Sequence, residues 1–461
     1  MHLWAKKHNK YQNVVSEFDQ HLIDQGYKIE ELAIRFLKTK IENSTKKLIT
    51  QQTYTDGNFE ARVDVLLYDE VDDSFDLYEI KSSTSQQDQE LRKNKDEHLY
   101  DATFQALILE KNIILKHTHL VTVNKEYVRQ RELDLSQFFL ITQIDQSVVS
   151  LHNLVKELRN QAFETCKLKI PENIEACVNP RTCPCKELCH PILPDYSIYD
   201  INGLFGKTKK ELRSKGILTI KEIPKTFPLP AKQRVQVDVT QSGSPLIHID
   251  AIRHEIEQLT SPLCFLDYET FNPGIPLYDR YHPYQHMVFQ YSLNVIEDPE
   301  KKPKHFEYLI DHKGDPGPEI CSQLQKDLPK AGTIVVWNKT FESGCNKDMA
   351  EMYPEFRKFL LEMNERIYDL GDPFKYNNMY VLPEFKGSWS IKNILPVLIP
   401  ELSYDELVIG EGATAMNSWW KMVYEHTSEE RKTQIKTELL KYCELDTHAM
   451  FVIWRKLKSL I

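Results

Sequence analysis

CFLDYETF, residues 264 to 271, sets two carboxylates, Asp267 and Glu269, into an apolar run. A strand alternates its side chains between two faces, so acids two apart share one face. Two like charges on a buried face repel each other and are costly to desolvate unless a cation holds them. A divalent metal removes the objection, and further acids are then expected from elsewhere in the chain. MVFQYSLNVI and KHFEYLI read as the next two strands, TIVVW as a fourth beyond a helix, and the remainder as mostly helix. WNKTFES (337 to 343) follows the TIVVW strand and brings Glu342, while KYCELDTHAM (441 to 450) on the last helix brings Tyr442 and Asp446.

Composition sets the outer limits. The 461 residues are 41% hydrophobic and 27% charged, a globular balance. That length suits roughly two to four domains. No apolar run approaches the roughly 18 residues of a membrane span, and the opening MHLWAKKHNKYQ lacks a signal core. A cytoplasmic protein with no membrane partner is expected. The formal charge of -10 argues against a coat for nucleic acid but leaves room for a local basic groove. Residues 201 to 240 supply one candidate, with nine Lys or Arg against three acids, and LFGKTKKELRSKGILTIKEIP reads as two short helices around Gly216. Five of the nine cysteines fall between Cys166 and Cys189, a cluster that suggests a metal in a reducing compartment.

The N-terminal block carries a second set of charges. A helical pattern over about 11 to 42 precedes two strands, ARVDVLLYDE (61 to 70) and SFDLYEIKSS (74 to 83). A long helix over QQDQELRKNKDEHLYDATFQALILEKN and the strands THLVTVN and FFLITQID follow. Asp64 lies on one strand, with Glu79 and Lys81 two apart on the next. Read as packing, E-x-K on a strand is common; read as chemistry, it is the D...E-x-K arrangement.

Three motifs together carry a resemblance for the C-terminal half: D-x-E at Asp267 and Glu269, N-x-x-F-acid at Asn338, Phe341 and Glu342, and Y-x-x-x-D at Tyr442 and Asp446. They match the DEDD pattern of DnaQ-type proofreading exonucleases, and the strand order agrees with a ribonuclease H-like fold. Lys441 stands where a histidine marks the other subclass, so the resemblance is to the tyrosine subclass. It implies Mg2+ or Mn2+, with Asp267 bridging two ions, Glu269 and Asp446 holding one each, Glu342 acting through water and Tyr442 orienting the nucleophilic water. Glu342 departs from the family's usual aspartate. Ser388, Ser390 and Lys392 open a helix that could meet a phosphate, and Asp369 ends a nearby apolar run. Tyr281, Tyr284 and Trp389 could stack on bases, with ordinary packing at least as good a reading. Trp419 and Trp420 read as core.

The N-terminal block resembles PD-(D/E)XK nucleases of the RecB type. This implies metal at Asp64, Glu79 and the Ile80 carbonyl, water activation by Lys81, a further acid at Glu31 and a substrate contact at Gln105. ACVNPRTCPCKELCH lies where such nucleases place three ligands of an iron-sulfur staple, here Cys177, Cys183 and Cys189, with Cys166 or Cys185 as the fourth. A zinc site on Cys177, Cys183, Cys189 and one of Cys166, Cys185 or His190 is the alternative to a 4Fe-4S cluster. The whole chain resembles a bacterial family that joins a RecB-type nuclease domain and a cysteine cluster to a DnaQ-like domain.

The expected class is therefore α/β: a PD-(D/E)XK restriction-endonuclease-like domain over 1–165, a Cys-rich segment over 166–195, a helix-hairpin-helix-like connector over 196–245 and a ribonuclease H-like DEDD domain over 250–461. Lys207, Lys209, Lys210 and Arg213 of the connector would grip phosphates. The expected function is a metal-dependent nuclease on DNA or RNA, acting from single-stranded ends. The competing readings are activity at the DEDD site alone, a nucleic-acid-binding scaffold with silent sites, and trimming of short oligonucleotides.

Overall fold

The apolar runs of the N-terminal block pair into a five-stranded sheet in chain order: β1 (Lys46–Thr50), β2 (Val65–Asp69), β3 (Ser74–Ser85), β4 (Leu115–Asn124) and β5 (Phe139–Gln143). Only the β3–β4 pair is parallel, and the helix Asp96–Leu109 makes that crossover. On the helix Glu17–Ile41, Ile29, Ala33, Phe36 and Leu37 recur at helical spacing and bury against Val65, Leu67, Val121 and Val123. The predicted strand over 61 to 70 is broken. Phe59–Arg62 belongs to a separate hairpin with Thr53–Asp56, and Asp64 occupies the bend before β2.

The computed structural model describes residues 2–10, 15–42, 44–86, 96–169, 179–183, 185–298, 301–375 and 379–461. The start of the predicted long helix, 87–95, and Cys177 lie outside them. The chain is mixed α/β and divides into two units: Met1–Glu172 with Asn272–Gln285, and Asn173–Phe271 with His286–Ile461. The division falls inside the predicted Cys-rich segment, and the connector groups with the C-terminal sheet.

In the second unit β6 (Leu263–Phe271), β7 (Met287–Ile296), β8 (Lys304–Leu309), β9 (Thr333–Val336) and β10 (Ile367–Asp369) form a sheet in the order β8-β7-β6-β9-β10. β6, β7 and β8 are antiparallel, while β9 runs parallel to β6 and β10 parallel to β9. β9 pairs with β6 only as far as Phe265, so among the described residues the strand beyond it has no paired strand on that side. Asp267 and Glu269 fall in this stretch. The helix Glu429–Lys458 is pinned to the sheet by buried polar contacts: Gln290 Nε2 donates to the Leu439 carbonyl at 2.9 Å, and Ser292 Oγ and Asn294 Nδ2 reach Thr447 Oγ1 at 2.7 and 3.0 Å. Phe451 and Trp454 of that helix pack on Phe265. Trp419 is fully buried, whereas Trp420 is half-buried and stacked on Phe271.

The connector has its own small core of Ile198, Ile201, Leu212, Ile220, Phe227 and Val237. Its first predicted helix is Gly206–Ser214, and Gly216 turns the chain at φ +74°. The second predicted helix is only a 3-10 turn, Ile220–Glu222, followed by the helix Ala231–Ser242. Among the described residues no helix is long and apolar enough to cross a membrane.

Candidate active site

β6 presents Asp267 and Glu269 beside the last helix, on which Tyr442, Cys443 and Asp446 are spaced to share a face. Asp267, Glu269 and Cys443 offer ligand atoms all within 4.8 Å of one another, the one such group of His, Cys, Asp or Glu found among the described residues. Burial, then the charges of Asp446, Glu269 and Glu342, push the Asp267 carboxyl well above the usual range. Burial and Asp446 do the same to Glu269, with Lys392 opposing. Asp446, pushed up to about 6 by burial, is relieved by a hydrogen bond and by Lys392. That bond comes from Tyr404, whose Oη donates to Asp446 Oδ1 at 2.6 Å. A cluster whose acids resist ionisation this strongly is one that a divalent cation would relieve.

Lys392 donates to the Gly410 carbonyl at 2.7 Å and stands over the rings of Tyr404 and Tyr442, at 5.6 and 5.3 Å from their centroids. Burial and the surrounding carboxylates push the Tyr442 hydroxyl far up, so it stays protonated. Glu342 sits on the helix Lys339–Met352, directly after Asn338, and is buried with its Oε2 lacking a hydrogen-bond partner. Asp369 is engaged elsewhere: it accepts from the Lys339 and Gly371 amides at 2.9 Å each and pairs with Lys375 at 2.7 Å. It braces the turn that carries Asn338. Phe341 packs edge-on to His286.

A cavity of about 890 Å3 opens at this turn, lined by Trp337, Asn338, Trp389 and Ser390 and, from the connector, by Tyr199 and Lys209. Three residues singled out for substrate contact, Asn338, Ser390 and Lys209, therefore share one wall system. Lys207 and Lys210 are exposed outside it, and Arg213 donates to the Tyr199 hydroxyl at 3.2 Å. Tyr281 and Tyr284 belong to the first unit and are committed to packing. Tyr281 is buried, and Tyr284 Oη donates to the Ser82 carbonyl at 2.5 Å.

In the first unit the second set also gathers. Asp64 Oδ2 accepts from the Ile80 amide at 2.8 Å, a bond that its place in a bend allows. Lys81 Nζ donates to Glu79 Oε1 at 2.7 Å and to Asp101 at 2.5 Å, while Gln105 donates to Glu79 Oε2 at 2.6 Å. Burial, then Asp64, pushes Glu79 up to about 8, against Lys81. Glu31 is exposed. Its neighbour Glu30 is the acid that faces Asp64, its carboxyl raised by burial and then by that charge. Sequence reasoning missed Asp101, although its spacing of four from Gln105 places both over one helix face. It also missed Tyr404, for which the sequence carries no signal.

Of the cysteines, Cys185 is buried and lies beside Cys183, Cys189 is buried on the short helix Lys186–Cys189, and Cys166 lies in the last turn of the helix Asp145–Lys167. His190 Nε2 is buried without a hydrogen-bond partner, as a metal donor would be. The fit of a cluster turns on Cys177, which is not among the described residues.

The family DUF2779, a domain of unknown function, matches residues 264–390, from β6 to Ser390. The chain is 28% identical over 225 residues to the uncharacterized protein UU173 of Ureaplasma parvum, covering 44% of this chain and 32% of that one. It is 25% identical over 222 residues to the uncharacterized protein MG366 homolog of Mycoplasma pneumoniae, covering 44% and 33%. The matched stretch thus spans about a third of the length of these relatives, and the likeness to DUF2779 takes in Asp267, Glu269, Asn338 and Glu342 while stopping short of Lys392, Tyr442 and Asp446.

Proposed function

We propose that the chain is a metal-dependent nuclease that hydrolyses phosphodiesters of DNA or RNA from single-stranded ends, with its principal site at Asp267, Glu269 and Asp446. The observation that carries this reading is the meeting of these three acids with Tyr442, from segments far apart in the chain. The order β8-β7-β6-β9-β10 supports a ribonuclease H-like DEDD domain. The gathering of Asp64, Glu79 and Lys81 supports a PD-(D/E)XK site in the first unit.

Mg2+ or Mn2+ held by these carboxylates supplies charge neutralisation on the attacking and leaving oxygens. Asp267, Glu269 and Asp446 would be the ligands, and the pressure against their ionisation fits that role. Tyr442, kept protonated, donates a hydrogen bond to the attacking water and does not act as its base. Lys392 balances the pocket, and Tyr404 fixes the rotamer of Asp446. A single-stranded end enters the cavity beside Asn338, where Trp389 offers a ring face to a base and Lys209 a charge to a phosphate. The cysteine segment would hold a structural 4Fe-4S cluster, with zinc as the alternative that the unpartnered His190 nitrogen favours.

Labelled single- and double-stranded DNA and RNA, incubated with Mg2+ or Mn2+, test this. Wild type should cleave at least one substrate, and Asp267→Ala should lose about a hundredfold or more, as expected when several kcal/mol of charge stabilisation go. Lys81→Ala and the double mutant assign the residual activity to the first unit. Absence of cleavage by the wild type on every substrate defeats the reading.

A further inference from the structure

Ser388 and Trp389 wall the large cavity, and with Gly387 they also line a second, smaller one of about 320 Å3. Gln233 and Gln236 of the connector helix Ala231–Ser242 line it as well. Gly387 is what lets the two segments meet: it turns at φ +75°, and a Cβ there would overlap the Gln236 amide. Gln236 is held in place, because it accepts from the Asn202 amide at 2.9 Å and donates to the Tyr196 hydroxyl and the Asp200 carbonyl at 2.9 and 3.0 Å. Phe374, Tyr380 and Phe385 supply an aromatic lining, their rings 5.7 to 6.0 Å apart between centroids. Size and lining suit one flat ring rather than a length of strand. Gln233 adds the polar feature. Its Nε2 donates to the Asn202 carbonyl at 3.0 Å, which fixes the amide and leaves Oε1 an acceptor, buried and without a partner. Such an acceptor is completed by an N–H from a ligand. Lys232, one residue earlier, is exposed and lines the same cavity.

We propose that this second cavity receives one unpaired nucleobase with an exocyclic amine, as cytosine and adenine have, on a single strand whose end lies in the larger cavity. The amine donates to Gln233 Oε1, the aromatic lining holds the ring, and Lys232 supplies charge for a phosphate. Uracil and thymine are disfavoured, because each puts a carbonyl oxygen where the amine stands and so sets one acceptor against another. The choice of a single strand rests on the nucleolytic reading, but the cavity selects among strands without taking part in hydrolysis.

The test is binding of labelled oligo(dC) and oligo(dU) to the full chain in EDTA, where no cleavage intrudes, read by fluorescence anisotropy. The two strands differ only along the base edge that would meet Gln233. Wild type should bind oligo(dC) about tenfold or more tighter than oligo(dU). Gln233→Met, of similar length but without the acceptor, should bring that ratio close to one, whereas Trp389→Ala should weaken both strands alike, by roughly five- to hundredfold. Because the readout is a ratio on one protein, partial unfolding of a variant lowers both affinities together and cannot imitate the loss of preference. Equal affinity of the wild type for the two strands, no binding of either, or a preference that Gln233→Met leaves intact would overturn the proposal. A chain that cleaves with Mg2+ yet binds both strands equally keeps the nucleolytic reading and loses this one; a Gln233-dependent preference in a chain that cleaves nothing does the reverse.

Discussion

Tyr404 donates a 2.6 Å hydrogen bond to Asp446, and the pair shows how much of the pocket depends on residues outside any motif. Tyr404→Phe keeps the ring and removes only that bond. It should weaken Mn2+ binding about 10- to 100-fold, the usual cost of losing a group that orients a ligand, with calorimetric titration as the measurement; unchanged affinity would mean Asp446 needs no such brace. Glu342 makes a prediction about pH. Burial, with Asp369 adding to it and Lys375 opposing, pushes its carboxyl up to about 8. Between its ordinary value and about 8 the folded chain keeps a proton that the unfolded chain has released. This group therefore favours folding in acid and loses that contribution as pH rises through the window. Metal-free Glu342→Gln should show a shallower decline in urea-unfolding stability between about pH 5 and about pH 8, by about 1 kcal/mol or more. Equal slopes in the two proteins would refute this. At this scale Asp267 and Glu269 were legible because a strand's period of two aims both at one side. The choice of Glu31 over Glu30 was not, because adjacent helix positions differ by about 100° and the phase of the Glu17–Ile41 helix is set by which face its apolar residues bury.

Elements place those residues, and the helix Glu429–Lys458 does so through a few polar contacts within an apolar interface. Thr447 follows Asp446 and holds both Ser292 and Asn294 of β7. Thr447→Val preserves shape but leaves the two β7 groups without that partner, and should cost about 1–3 kcal/mol. Denaturant unfolding measures this, with Thr447→Ser as the variant that should recover most of the loss. A Val variant as stable as wild type would show that the helix is set by its rings alone. Most strands of both sheets were legible from apolar runs, β7 above all because it is buried along its whole length, but the short β1, with its two lysines, and the three-residue β10 were not read as strands. The break at Asp64 was not. ARVDVLLYDE is continuous in hydropathy, and only the bond from Asp64 to the Ile80 amide reveals why the chain bends. The second connector helix failed for another reason: Thr219 and Glu222 form a capping box that starts a helix, but the turn ends at Ile223, directly before Pro224.

At the scale of the molecule, the predicted domain edges run along the chain, whereas the folded units do not. Asn272–Gln285 leaves the second unit at the end of β6 and is built into the first. There Arg129 and Tyr281 share a backbone hydrogen bond, Arg131 is held by Asp279, and the Gly274 amide donates to Gln25. Gly274 is required at that point, because a Cβ would meet the Tyr284 ring at 2.9 Å. No local pattern announces such an exchange, since turn residues and exposed charges look alike wherever the segment docks. A fragment of residues 1–172 should unfold at lower urea than the first unit of the full chain and bind a hydrophobic dye where Tyr281 and Tyr284 are missing. Matching midpoints would make the segment ornamental.

The order of synthesis gives this exchange a further meaning. The first unit emerges from the ribosome with one seat vacant, and the piece that fills it arrives only about a hundred residues later, after β6 has been made. Folding by completed halves, N-terminal first, is the usual course for a nascent chain of this size. Here the earlier half has to wait for the later one, so the nascent protein passes through a stage in which neither half is finished and a chaperone has an incomplete surface to shield.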